Sequence, residues 1–152
     1  MNRRGGFSLL ELAIVLVVLG LIAAIAVPRL SRAGTGAADA ALEQDLTTLR
    51  GAVECYAAEH CGVYPAATTF REQLRRYTDG SGVVSKDRLG PYQFGPYVRD
   101  VPSVAAGPSK GFGRVAAEPG QGVGWIYDES TGQIRVNARE ERDSLGRRYA
   151  DY

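Results

Sequence analysis

The sequence predicts an α+β chain in which a long N-terminal helix, half membrane-spanning and half amphipathic, packs on a small C-terminal antiparallel β-sheet. Residues 7–27 are apolar apart from Ser8, Glu11 and Gly20. Leu42, Leu46, Leu49, Val53 and Tyr56 then recur at steps of four, three, four and three, which is one stripe of a helix. Further on, Gly124-Trp125-Ile126-Tyr127-Asp128 and Gln133-Ile134-Arg135-Val136-Asn137 alternate with period two around a turn ending in Gly132, the signature of a hairpin.

The apolar run comes first. Twenty-one residues make about 32 Å of helix at 1.5 Å per residue, enough to cross a bilayer. Arg3 and Arg4 precede it with no acid before Glu11. That asymmetry keeps the N-terminus in the cytoplasm and sends the rest of the chain across. Pro28 lacks the helical N–H, so a kink or local break is expected there. Gly34-Thr35-Gly36 extends the weak stretch, giving a bent or partly meltable segment over 28–36. Three readings share this topology. One is a cleaved secretory signal, with small-residue sites near Ala24-Ile25-Ala26 and Ser31-Arg32-Ala33. The second is an uncleaved anchor on an unrelated extracytoplasmic domain. The third must account for Glu11, because a carboxylate in hydrocarbon costs a few kcal/mol.

Charge excludes a polyanion partner. The 152 residues hold 18 Lys+Arg against 17 Asp+Glu, and the 16 Arg are spread along the chain. Nucleic acid binding needs a concentrated basic surface, so none is expected.

The second helical segment is read over residues 37–60, with Gly62 and Pro65 as its stop. Asp39, Glu43, Gln44, Thr47, Arg50, Glu54 and Glu59 are read as lying off the stripe. Cys55 and Cys61 would stand about 9 Å apart along a continuous helix. A disulfide spans at most roughly 7 Å between α-carbons, so a bridge requires Cys61 beyond the helix end with the chain doubling back. Both a bridge and two separate thiols stay open. Two cysteines and one histidine do not make a structural zinc site.

Thr69-Phe70-Arg71-Glu72 has the form of a capping box, and predicts a short helix over 70–77 ended by Asp79-Gly80-Ser81-Gly82. Gly90-Pro91-Tyr92 and Gly95-Pro96-Tyr97 predict proline-fixed loops packed down by tyrosine. In the hairpin, Val123, Trp125 and Tyr127 share one face, as do Ile134 and Val136. Residues 112–117 supply a third strand, and the antiparallel sheet covers the helix stripe. Residues 138–152, with Arg139-Glu140-Glu141-Arg142-Asp143, read as a solvated, mobile tail. No catalytic constellation is found. His60, at a helix end, is read as meeting carbonyls or solvent.

Gly5-Gly6, Phe7-Ser8-Leu9-Leu10-Glu11 and the apolar run resemble the prepilin N-terminus of type IV pilins and type II secretion pseudopilins. The resemblance covers about thirty residues. It implies cleavage after Gly6 by a membrane-embedded aspartyl peptidase, which then methylates the new amino terminus at Phe7. Glu11 is the glutamate five residues into the mature chain, and Pro28 stands where many pilins carry proline. The implied organisation is a leader over 1–6, a transmembrane and polymerisation helix over 7–28, an amphipathic continuation over 29–61, a head over 62–137 and a polar tail over 138–152. The implied place is a single-pass protein of the bacterial inner membrane with a periplasmic head. The implied partners are copies of itself in a filament, minor pilins or pseudopilins, the prepilin peptidase, and an assembly platform with its ATPase. On this reading Glu11 meets the positive amino terminus of a neighbouring subunit and sets register, since a neutralised pair is tolerated where a lone charge is not. The hairpin run also resembles the C-terminal end of some pseudopilin-like proteins.

No cofactor is expected, with one qualification from the family. The major pseudopilin of type II secretion typically carries calcium in its C-terminal loops. The acids here, Asp128, Glu129 and Asp143, lack the alternating oxygen-ligand pattern of calcium loops. The competing function class is a membrane-anchored or exported binding domain behind an ordinary signal sequence.

Overall fold

The computed structural model describes residues 8–152, apart from the side chains of Ser31 and Arg32. The chain divides into two compact units, one ending at Thr35 and one running from Gly36 to Tyr152. Helix α1, Leu9–Glu59, runs through the division.

Within the first unit α1 begins behind Ser8, whose Oγ accepts the Leu10 N–H at 3.3 Å. A side-chain oxygen there satisfies one of the amides that a helix start leaves without a partner. The expected break at Pro28 does not occur: the helix continues through Pro28, Gly34 and Gly36. Proline deletes a single rung of the ladder, and each glycine costs about 1 kcal/mol.

The second unit carries the core. Leu42, Leu49 and Val53 have no exposed surface, and Leu46 and Tyr56 are almost as deeply buried. Burial of each large side chain contributes roughly 1.5–3 kcal/mol, so the stripe fixes this half of α1 against the sheet. Beyond Glu59 the chain reverses. The Gly62 N–H donates to the Ala57 carbonyl at 2.8 Å, and Cys61 takes a left-handed φ of 57°. This is the doubling back that a bridge would require, yet Cys55 and Cys61 are both free thiols exposed to solvent.

Helix α2, Phe70–Arg75, buries Phe70, Gln73 and Leu74. The predicted capping box does not form: Thr69 sits at φ −116°, ψ 9° and makes no side-chain cap bond. Glu72 instead faces Arg76 at 2.5 Å. The helix stops short of Tyr77, because Tyr77–Thr78 forms strand β1 and pairs antiparallel with β2, Val84–Ser85. Between them the Asp79 carboxylate accepts the Ser81 and Val83 N–H groups, each at 2.9 Å.

Strands β3 (Arg114–Ala116), β4 (Val123–Asp128) and β5 (Gln133–Val136) form a sheet in that order. The hairpin is as predicted, with Trp125 opposite Val136 and Tyr127 opposite Ile134. Gly132 closes its turn at φ 70°, and its N–H donates to the Asp128 carbonyl at 2.8 Å. The third strand corrects the expected topology, because β3 pairs with β4 in parallel. A parallel return usually needs a long crossover. Here β3 has three residues, so the chain retreats only about 10 Å, which residues 117–122 span easily.

Trp125 and Tyr127 have no exposed surface, and they join Leu42, Leu46, Leu49, Val53, Ile134 and Val136 in one core. Their polar atoms are placed as well: Trp125 Nε1–H donates to the Pro102 carbonyl at 2.8 Å and the Tyr127 hydroxyl to the Pro65 carbonyl at 2.9 Å. The C-terminal segment departs most from expectation. Ala138 and Tyr149 belong to the core, and Asp143 is buried. Asp143 pairs with Arg147, Arg147 reaches Glu43 on α1, and Arg148 pairs with Asp151, while residues 139–142 are exposed.

Candidate functional site

Two sets of side chains stand out, one in each unit. In the first unit, large apolar residues from Leu9 to Leu30 are exposed throughout, from 43% at Val15 to 86% at Leu9. They lie on every side of α1 rather than along one stripe. A helix apolar all round belongs in a membrane or in the centre of a bundle. By length and composition this segment can cross a membrane.

Glu11 lies in the first turn of this helix and is exposed. Among the described residues its carboxylate has no hydrogen-bond or ion-pair partner. The positive end of the helix dipole offsets part of the cost of that charge, and a cation from outside the helix would offset the rest. Pro28 stands seventeen residues further on, about 26 Å along the axis. Gly6 and Phe7, the expected cleavage and methylation positions, lie outside the described residues.

In the second unit, α1 meets the C-terminal segment through a network of charges. Asp39, on α1, accepts the Tyr149 hydroxyl at 2.6 Å and the Ser144 N–H at 2.9 Å. Residues 141–149 fold back on themselves: Asp143 N–H donates to the Arg147 carbonyl and Tyr149 N–H to the Glu141 carbonyl. At the tip, Asp143 Oδ1 accepts the N–H groups of Leu145 and Arg147 at 2.8 and 2.7 Å. Its Oδ2 accepts Arg147 Nε–H at 2.8 Å and the Tyr152 hydroxyl at 2.6 Å. The Arg147 guanidinium also reaches Glu43 at 3.5 Å and sits 4.8 Å from the centre of the Tyr152 ring.

The electrostatics follow. Burial alone would raise the Asp143 carboxyl, but the bonds from Tyr152 and Arg147 hold it well below the usual carboxylate range. Asp39 is lowered against burial in the same way, by Ser144 and Tyr149. Burial, then the bond to Asp143, pushes the Tyr152 hydroxyl up to about 12.

His60, one residue past the end of α1, is also buried. Its Nδ1 lies 2.8 Å from the Tyr56 carbonyl, and its Nε2 lies 3.0 Å from both the Asp79 carbonyl and Thr78 Oγ1. Its ring stacks on Tyr56 with centroids 3.8 Å apart. It joins the end of α1 to β1, a structural task.

The burial of Asp39, expected off the stripe, and of His60 has a signal in the sequence. Asp39, Leu42, Leu46, Leu49, Val53, Tyr56 and His60 follow one another at steps of three and four, so both polar residues continue the apolar stripe. Among the described residues no group of three or more His, Cys, Asp or Glu side chains is placed to hold a metal ion.

The family described as the prokaryotic N-terminal methylation motif matches residues 1–27. The type II secretion system core protein G of Klebsiella pneumoniae is 31% identical over 102 residues, which are 67% of this chain and 69% of that protein. No solved structure matches the chain.

Proposed function

Because this chain belongs to the type IV pilin and type II secretion pseudopilin family, we propose that it is a structural subunit of a type II secretion pseudopilus, built from a membrane-stored precursor. The observation that carries this reading is the methylation motif over residues 1–27, in register with an exposed apolar helix that carries Glu11 in its first turn. The relative named as a type II secretion core protein favours a pseudopilus over a surface pilus.

A prepilin peptidase cuts after Gly6 and methylates Phe7. Cleavage creates an amino terminus that is positive near neutral pH. Glu11 points sideways from its helix and is poorly placed to serve its own terminus, so it pairs with the terminus of a neighbouring subunit in a helical bundle. Two charges that are costly singly in hydrocarbon become tolerable together, and the pairing sets the register at which a subunit joins. The apolar surface from Leu9 to Leu30 serves twice, against lipid before assembly and against other subunits afterwards. The head faces the periplasm, and minor pseudopilins, an inner-membrane platform and its ATPase complete the machine.

Glu11→Val tests this. The variant is expected to be processed and to remain in the membrane, while filament formation, seen by imaging or by cross-linking of subunit ladders, falls sharply. Normal filaments from Glu11→Val would sink the registry role.

A further inference from the structure

The family resemblance raises calcium for the C-terminal loops of the head, and the acids of this chain do not fit it. Asp128 Oδ1 accepts the Ser130 N–H and hydroxyl at 2.9 and 2.7 Å, which closes the hairpin turn. Glu129 Oε2 accepts the Ala67 N–H at 2.7 Å. Asp143 has no exposed side-chain surface, and both of its oxygens receive donors from Leu145, Arg147 and Tyr152. Asp39 spends one oxygen on Tyr149 and the other on Ser144. No buried side-chain nitrogen or oxygen among the described residues lacks a partner. A calcium ion needs six to eight oxygens at 2.3–2.6 Å. Asp39 and Asp143 already hold donors on both oxygens, Asp128 and Glu129 on one each, and among the described residues no three acids converge to hold an ion.

The charge of these acids is met from within the chain. Asp39 is tied to the turn of Asp143 through the Ser144 N–H, and Glu43 reaches the same turn through Arg147. The Arg147 guanidinium contacts two of them directly, and it belongs to the same turn as Asp143. A planar guanidinium presents several donors in a fixed fork and stays charged at every physiological pH.

We infer that this head closes its C-terminal loop with the Arg147 guanidinium rather than with a divalent cation, so that its fold is independent of calcium. Arg147 neutralises Glu43 and Asp143, Tyr149 and Tyr152 anchor the loop ends on Asp39 and Asp143, and Ser144 locks the tip to α1. The loop is assembled from its own chain and needs no ion from the periplasm.

The test is thermal unfolding of the full chain in detergent, followed by the near-ultraviolet signal of Trp125 and the tyrosines. Unfolding is measured once with excess chelator and once with millimolar calcium. The expected result is the same midpoint in both. An ion held at a hundredfold above its dissociation constant would raise the midpoint by roughly 5–10 °C, and such a rise in the wild-type chain overturns the inference. Arg147→Gln is expected to lower the midpoint in chelator, and Arg147→Lys to restore part of the loss by returning the charge without the fork. An Arg147→Gln chain as stable as wild type in chelator also overturns it. The wild-type comparison stands even if Arg147→Gln fails to fold, and none of these results depends on whether filaments form.

Discussion

The Tyr149 hydroxyl donates to the Asp39 carboxylate at 2.6 Å, joining two residues 110 positions apart. The contact closes the C-terminal segment on the helix that begins the head. Tyr149→Phe removes the donor and keeps the ring that packs in the core. Asp39 then retains only the Ser144 N–H, and a buried acceptor left short of a donor costs about 1–3 kcal/mol. Urea unfolding should show a free energy lower by that amount, read as a lower midpoint with an unchanged slope. An unchanged midpoint would mean that the bond is replaced by water without loss.

The same network sets a pH dependence with two limbs. Asp39 and Asp143 lie below their ordinary value of 3.8, as do Asp79, Asp100, Asp128 and Glu141 below theirs. A carboxyl whose folded value is depressed adds stability that is present above its unfolded value and lost as pH falls through the folded one. Asp45, raised by burial, acts in the opposite sense but is a single group. Tyr152, raised to about 12, contributes stability that is full below 10 and lost as pH rises through 12. Midpoints measured across pH should therefore be level from about pH 5 to 9 and fall on both sides. The acid limb should be shallower in Asp143→Asn, and equal limbs in the two chains would contradict the assignment.

Leu46 measures the packing of α1 against the sheet. It is 1% exposed in the centre of the core, and Leu46→Ala should cost about 2–5 kcal/mol in urea unfolding. A loss under about 1 kcal/mol would mean that the sheet does not press on this face.

Gly124 measures the close approach of β4 to the chain before β3. A Cβ at this position would stand 2.1 Å from the Phe112 carbonyl oxygen and 3.0 Å from Val104 Cγ2. Gly124→Ala forces backbone apart and should cost about 1–3 kcal/mol or more. Gly51, which has open space around its Cβ position, is the control: Gly51→Ala should stabilise α1 by up to about 1 kcal/mol.

These contacts also explain what the sequence could reveal. The stripe Leu42–Leu46–Leu49–Val53–Tyr56 and the Trp125–Tyr127 and Ile134–Val136 faces were legible because period alone decides which side is buried. Asp39 stands in phase with that stripe but reads as solvent-facing by residue type, since its partner Tyr149 is distant in sequence; His60, at the helix end, meets the Tyr56 and Asp79 carbonyls, one of the two readings its position offers. The C-terminal segment misled for the same reason. Its charges suggested solvation, whereas Asp143 and Arg147 satisfy each other within one turn and Tyr149 reaches the core. The parallel pairing of β3 was hidden because three residues carry no directional signal. Glu11 was legible as an anomaly from the cost of a charge in an apolar run, and Gly6 and Phe7 supplied its context.

Whether the chain is a processed filament subunit is decided by intact-mass analysis of the protein isolated from its own membrane. A processed subunit begins at N-methylated Phe7, with residues 1–6 removed after Gly6. A mature chain beginning near Val27 or Gly34, as an ordinary secretory signal would leave it, would refute the filament-subunit assignment.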